Sequence, residues 1–272
     1  MALALRNGRR IHYDVAPAEG SGSEARAIAT PVVLIPGLGG GARMFGTLPR
    51  RFARRGFPCI TFDPVGVAPS SPHAGDYDLD EAARDLLAVL DDLELDACHL
   101  VGTSLGGKIA LCATALAEER VQRVVLLASA AVATPRGRRV YRFFELLASR
   151  LDGPELGEVL ATFLFGTTIH TKRPSVIDDI VRGMRLDGPT RELMVAQARS
   201  LHTFDGSARA SSLTCPCLCL AGAEDTLTGI ESIAATAALI PNCHFEVIPS
   251  AGHTLLLEAP TVFDQITSFL RA

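Results

Sequence analysis

CHLVGTSLGGKIALCATAL, residues 98–116, changes character in its middle. Cys98 to Val101 is a short apolar run, as a buried strand is. Leu105 to Leu116 is rich in Ala and Leu over a longer span, as a helix is. Between them stands Gly102-Thr103-Ser104-Leu105-Gly106, a G-x-S-x-G. Small residues two positions to either side let the chain pass from strand to helix through a very tight turn. The serine hydroxyl then stands clear of the sheet at the amino end of a helix, whose dipole favours developing negative charge. The plainer alternative is a serine that merely caps the helix.

Outward from this turn, short apolar strands alternate with amphipathic helices. Towards the amino terminus, PVVLIPG (31–37) runs into the glycine-rich turn Gly37-Leu38-Gly39-Gly40-Gly41. Residues 43–55 suit a helix, Cys59 to Asp63 a strand, and Asp80 can cap a helix with Ala83, Leu86, Leu87 and Leu90 inward. Residues 2–15 read as a hairpin about Asn7-Gly8, a pair suited to positive φ. Residues 16–30, rich in Gly, Ser, Ala and Glu, read as a loop. Towards the carboxyl terminus come strands at 124–127, in CPCLCLAG (215–222) and at 244–248. A helix opened by Thr228 and Glu231 separates the last two, and another follows Pro260. The expected fold is α/β, a mostly parallel twisted sheet with helices on both faces. One stretch breaks the alternation. Residues 133–207 hold only helical patterns, interrupted at Gly153-Pro154, Arg173-Pro174 and Gly188-Pro189. The expected organisation is therefore a core of residues 1–132 and 208–272 carrying a helical cap, 133–207.

Composition excludes several classes. With 272 residues, 48% hydrophobic and 21% charged, the chain can bury a full core. A net charge of −4 points to neither nucleic acid nor an anionic membrane. The apolar run of MALALRNGRR is short and its arginines follow it, the reverse of a secretory signal, so the expected address is the cytoplasm. The seven cysteines contain no C-x-x-C, and Cys215, Cys217 and Cys219 alternate as packing residues on one face of a strand would. There is no H-E-x-x-H and no P-loop, so neither metal nor cofactor is expected.

Ser104 needs a base to become a nucleophile. Of seven histidines, His253 alone lies in a loop directly after the last strand, in Pro249-Ser250-Ala251-Gly252-His253. A carboxylate must then orient the imidazole and stabilise its charged form. Asp225, just after CLCLAG, gives the chain order Ser, Asp, His. Glu224, one residue away, is its rival.

These motifs together resemble the α/β-hydrolase superfamily over essentially the whole chain, and more closely its capped bacterial members: enol-lactone hydrolases, carboxylesterases and carbon–carbon bond hydrolases. The resemblance implies a serine hydrolase acting on a small-molecule ester, lactone or thioester through an acyl-enzyme. It assigns the oxyanion-holding N–H groups to Leu38 and Leu105. The family's His-Gly-x-Gly reads Pro36-Gly37-Leu38-Gly39 here, which leaves the Leu38 N–H in place. In the turn Asp63-Pro64-Val65-Gly66-Val67-Ala68, Ala68 replaces a second glycine. Residues 133–207 fall where the family places its cap, expected as a mobile lid. Phe143, Phe144, Leu147, Phe163 and Phe165 could line an acyl pocket or pack the cap against itself. Arg136, Arg138, Arg139, Lys172 and Arg173 suit solvated cap surface. Carbon–carbon hydrolases usually carry a Trp near the site, and this chain has none. Cofactor-free haloperoxidases share the serine turn and stay open as an alternative, as does a non-catalytic binding protein on the same fold.

Overall fold

Strands and helices alternate around a single sheet in a computed structural model that describes residues 2–19 and 30–272. The strands are β1 (Ala2–Arg6), β2 (Arg9–Ala16), β3 (Val32–Ile35), β4 (Cys59–Phe62), β5 (Cys98–Thr103), β6 (Val121–Leu127), β7 (Cys217–Gly222) and β8 (Cys243–Ile248). They lie in the order β1-β2-β4-β3-β5-β6-β7-β8. The pairs β1/β2 and β2/β4 are antiparallel and the rest parallel. Asn7 and Gly8 take φ of 49° and 75° at the hairpin turn, as their sequence requires. Of the expected loop 16–30, Ala16 closes β2, while residues 20–29 lie outside the described residues.

Twelve helices accompany these strands among the described residues: α1 (Leu48–Arg54), α2 (Leu79–Asp92), α3 (Leu105–Leu116), α4 (Pro135–Arg150), α5 (Gly153–Leu164), α6 (Thr167–Lys172), α7 (Pro174–Gly183), α8 (Gly188–Leu201), α9 (Ser207–Ser212), α10 (Ile230–Leu239), α11 (Leu255–Glu258) and α12 (Pro260–Arg271). The two sheet faces are covered separately. Alternate residues of β3 go opposite ways, Val33 and Ile35 to the face packed by α2, α3 and α10, Val32 and Leu34 to the face packed by α1 and α12. That is why these strands read as unbroken apolar runs.

Several boundaries differ from the sequence reading, each for a local reason. The helix expected over 43–55 is a short 3-10 turn (Ala42–Phe45) and then α1, divided by Gly46 at φ 51°. The cap of α2 is Asp78, whose carboxylate accepts from Asp80 and Glu81 N–H; Asp80 instead binds Arg209 at 2.8 Å. Thr228 does not cap α10, for its hydroxyl donates to the Ala128 carbonyl at 2.9 Å.

The stretch between β6 and β7 is helical throughout apart from one isolated bridge, Val132 to Asp205. Three of its breaks fall at the expected Gly-Pro and Arg-Pro steps, where α5, α7 and α8 begin, while two more, before α6 at Gly166 and before α9 at Gly206, carry no proline and are not among those expected. Helices α4 and α8 pack together, as do α5 and α7, while α9 lies against α3 and α10.

Candidate active site

The turn after β5 is held in a conformation that few residues adopt. Ser104 has φ 54° and ψ −114°, well outside the ordinary regions, a strain that clusters at functional sites. Its neighbours explain the flanking glycines. A Cβ on Gly102 would lie 2.4 Å from the Gly106 carbonyl oxygen, and one on Gly106 would lie 2.2 Å from that of Ile35. Any side chain at either position would push β5, α3 and β3 apart. The serine is pinned in turn: its N–H donates to Leu127 O at 2.8 Å, and its carbonyl accepts from the Ser129 hydroxyl at 2.7 Å.

Loops after β7 and β8 bring the other two residues together. His253 Nδ1 stands 2.9 Å from Asp225 Oδ2, and both side chains are buried. The second carboxylate oxygen of Asp225 accepts from the N–H groups of Leu227 (2.8 Å) and Thr228 (3.1 Å). Burial works to raise the Asp225 pKa. The adjacent His253 ring and these N–H bonds outweigh it and hold the carboxyl below its ordinary value. With Nδ1 occupied, Nε2 is the ring nitrogen left for a reacting group. Ser104 and His253 line one cavity of about 170 Å³, with no hydrogen bond between them among the described residues. Such contacts are often loose until substrate arrives.

Leu38 and Leu105 line the same cavity. Among the described residues neither N–H is used by a backbone acceptor, so both are free for a developing oxyanion. The turn bearing Leu38 is braced from two sides. Asp63 accepts from Ala42 N–H at 2.8 Å and meets His12 Nδ1 at 2.7 Å. Gln197 of α8, almost wholly buried, accepts from Gly39 N–H at 2.7 Å.

Glu224 has a different task. Its carboxylate accepts from the N–H (2.8 Å) and hydroxyl (2.5 Å) of Thr168, which hold its pKa down and tie α6 to the loop bearing Asp225. Two further bonds join the end of α5 and the turn after it to α11 and the loop bearing His253: Gly166 N–H to Glu258 at 2.9 Å and His253 N–H to Leu164 O at 3.0 Å. Of the five apolar residues named from α4, α5 and the turn after them, Phe144 reaches the cavity. Phe143 and Phe163 pack edge to face at 5.3 Å, Leu147 joins the same cluster, and Phe165 is buried beside Ile169 and Ile177. Arg136, Arg138, Arg139, Lys172 and Arg173 are all exposed, and Arg136 also donates to the Thr226 and Leu227 carbonyls.

Sequence reading missed Gln197 and the thiol group formed by Cys217, Cys219 and Cys243, whose sulfurs lie within 4.8 Å of one another. Cys217 and Cys219 share a strand face as expected, but the third member comes from β8, so no spacing in one segment could reveal it. Among the described residues, no helix is long and apolar enough to cross a membrane.

The comparisons agree with this architecture. A protein of Pseudomonas syringae pv. syringae named as a carbamate hydrolase, RutD, is 27% identical over 242 residues, 88% of this chain and 92% of that protein. The enol-lactonase of Burkholderia xenovorans LB400 superposes with a TM-score of 0.86 at 20% identity, covering 100% of both chains. The esterase EaEST of Exiguobacterium antarcticum gives 0.86 at 21%, over 99% of this chain and 98% of that one. The family model described as alpha/beta hydrolase fold matches residues 30–260, and the chain belongs to that family.

Proposed function

We propose that the protein is a serine hydrolase that cleaves a carboxylic ester, lactone or thioester through an acyl-enzyme. The observation that carries this reading is the Asp225–His253 pair at 2.9 Å beside a cavity that also receives the strained Ser104. Ser104 Oγ attacks the carbonyl carbon while His253 Nε2 takes its proton. The tetrahedral oxyanion forms against the Leu38 and Leu105 N–H groups. Collapse expels the alcohol or thiol, which receives the proton from His253. Water, deprotonated by the same imidazole, then releases the acid and frees Ser104. Asp225 stays ionised throughout and stabilises the imidazolium.

Carbamate cleavage, named for the Pseudomonas relative, attacks the same kind of carbonyl and belongs in the same test panel. Residues 133–207 act as the cap. Their α4, α5 and α8 supply Tyr141, Phe144, Leu160 and Met194 to the cavity wall and so set specificity. A cavity near 150 Å³ holds a benzene-sized group, so acyl chains of about four to six carbons are the best fit. The test is labelling by a small fluorophosphonate, read by peptide mass, beside p-nitrophenyl esters of graded length. The probe is expected on Ser104, with turnover falling by about 10⁶ in Ser104→Ala. An unlabelled Ser104, or a few per cent of activity surviving in the variant, rejects the reading.

A further inference from the structure

Lys108 stands four residues beyond Ser104, one turn further along the same face of α3. It is 3% exposed. Its ammonium donates to the Ala130 carbonyl, and among the described residues no carboxylate pairs with it. Three N–H donors are present and one protein acceptor is filled. An ammonium buried without an opposite charge is strongly disfavoured, and proteins retain one where something else compensates it. Lys108 lines the cavity that holds Ser104 and His253, and no Asp, Glu or Arg shares that lining. The rest of the lining is apolar or neutral, save the imidazole of His253. The cavity thus has a nucleophile in its wall and one buried fixed cation a helical turn away.

We infer that Lys108 binds a carboxylate of the substrate, so that the preferred substrates are half-esters of short dicarboxylic acids. This rests on the serine-hydrolase reading above. The carboxylate takes the two open N–H bonds of the ammonium and fixes the acyl chain, so that the scissile carbonyl is held over Ser104. An acyl chain ending in a methyl group leaves the cation bare. The discrimination therefore enters through binding of the acyl portion and is read mainly in KM.

The experiment compares monomethyl glutarate with methyl valerate, which differ in a terminal carboxylate against a methyl group, by pH-stat at neutral pH. Wild-type protein is expected to favour the glutarate ester by about 10–100-fold in kcat/KM, the range for a hydrogen bond between charged groups. In Lys108→Met that ratio is expected to fall to about one or below, and Lys108→Arg to retain part of it. A wild-type ratio of one or less overturns the inference, and so does a ratio that Lys108→Met leaves unchanged. Should Lys108→Met not fold, the wild-type ratio and the Lys108→Arg ratio decide the matter. Fluorophosphonate labelling of wild-type Ser104 separates the two levels. Labelling with a flat ratio removes the role of Lys108 alone, whereas no labelling and no ester cleavage removes the hydrolase reading beneath it.

Discussion

Gln197→Leu removes one acceptor and keeps most of the side-chain volume, which makes it a clean probe of how the helices between β6 and β7 influence chemistry. Gln197 Oε1 receives the N–H of Gly39 at 2.7 Å, and Gly39 follows Leu38 directly. The same helix presses on the turn, since a Cβ at Gly39 would lie 2.6 Å from Met194 Cγ. Loss of the bond removes about 1 kcal/mol of stability. The larger effect is on position. Complete loss of an oxyanion donor costs about 10²–10³ in rate. Here the Leu38 N–H remains but its turn loses one of its braces, Asp63 to Ala42 being kept. Part of that penalty is expected, about tenfold, or about 1.4 kcal/mol of transition-state stabilisation. The fall should appear equally in kcat and kcat/KM, because the interaction matures only in the transition state. Steady-state kinetics on a p-nitrophenyl ester and urea unfolding measure the two effects separately. Gln197→Glu retains an acceptor and should recover most of kcat. If Gln197→Leu loses stability but keeps kcat within about twofold, the turn does not depend on α8 and the reasoning fails.

Asp225→Asn should lower kcat by about 10⁴ through the wrong histidine tautomer, while Glu224→Gln leaves the chemistry nearly intact and weakens the tie to Thr168; stopped-flow rates in the reverse order would reassign the acid. Phe144→Ala should shift acyl-length selectivity by about 1–3 kcal/mol, and Phe143→Ala, which does not line the cavity, should shift it much less; equal shifts would contradict the cavity wall described. His99 gives a pH effect unconnected with turnover. Burial, with Arg123 nearby, lowers its pKa from 6.5 to about 4. The folded state keeps this ring neutral while the unfolded chain protonates below pH 6.5, so stability declines as pH falls from 6.5 towards 4, by up to about 1.4 kcal/mol per pH unit. In His99→Leu that part of the decline should vanish, and urea melts at pH 7, 5.5 and 4.5 that show the same slope in both proteins would refute it.

The features legible in the sequence are those fixed by neighbours along the chain. Gly102 announces the turn because its constraint, the Gly106 carbonyl, acts within four residues, and the apolar runs of β3, β5, β6 and β7 follow from burial on both faces; Gly106 is held small by the Ile35 carbonyl of β3, a contact no local pattern shows. Asp225 against Glu224 could not be settled by pattern, since both lie just beyond β7. What separates them is a contact with His253, 28 residues on, and another with Thr168, 56 residues back. Gln197 stayed invisible for the same reason, its partner being 158 residues away. Lys108 was in plain view inside the deciding stretch, yet its meaning depends on what it lacks nearby, which composition and periodicity do not encode.

The helices between β6 and β7 touch each part of the proposed machinery through a different bond. Gln197 holds Gly39 just after Leu38, Thr168 holds Glu224 beside Asp225, and the Leu164 carbonyl holds the N–H of His253. A lid that only admitted substrates would need apolar contact with the cavity and nothing more. These three polar tethers end instead on the oxyanion turn, the acid loop and the base loop. Hydrogen bonds of this kind are directional and lose most of their value below about 120°, so any large swing of α5, α6 or α8 would disturb residues that must keep sub-ångström order. Specificity and catalytic geometry are then drawn from the same helices. On the proposed reading, the alignment of the site depends on the core and on these helices together.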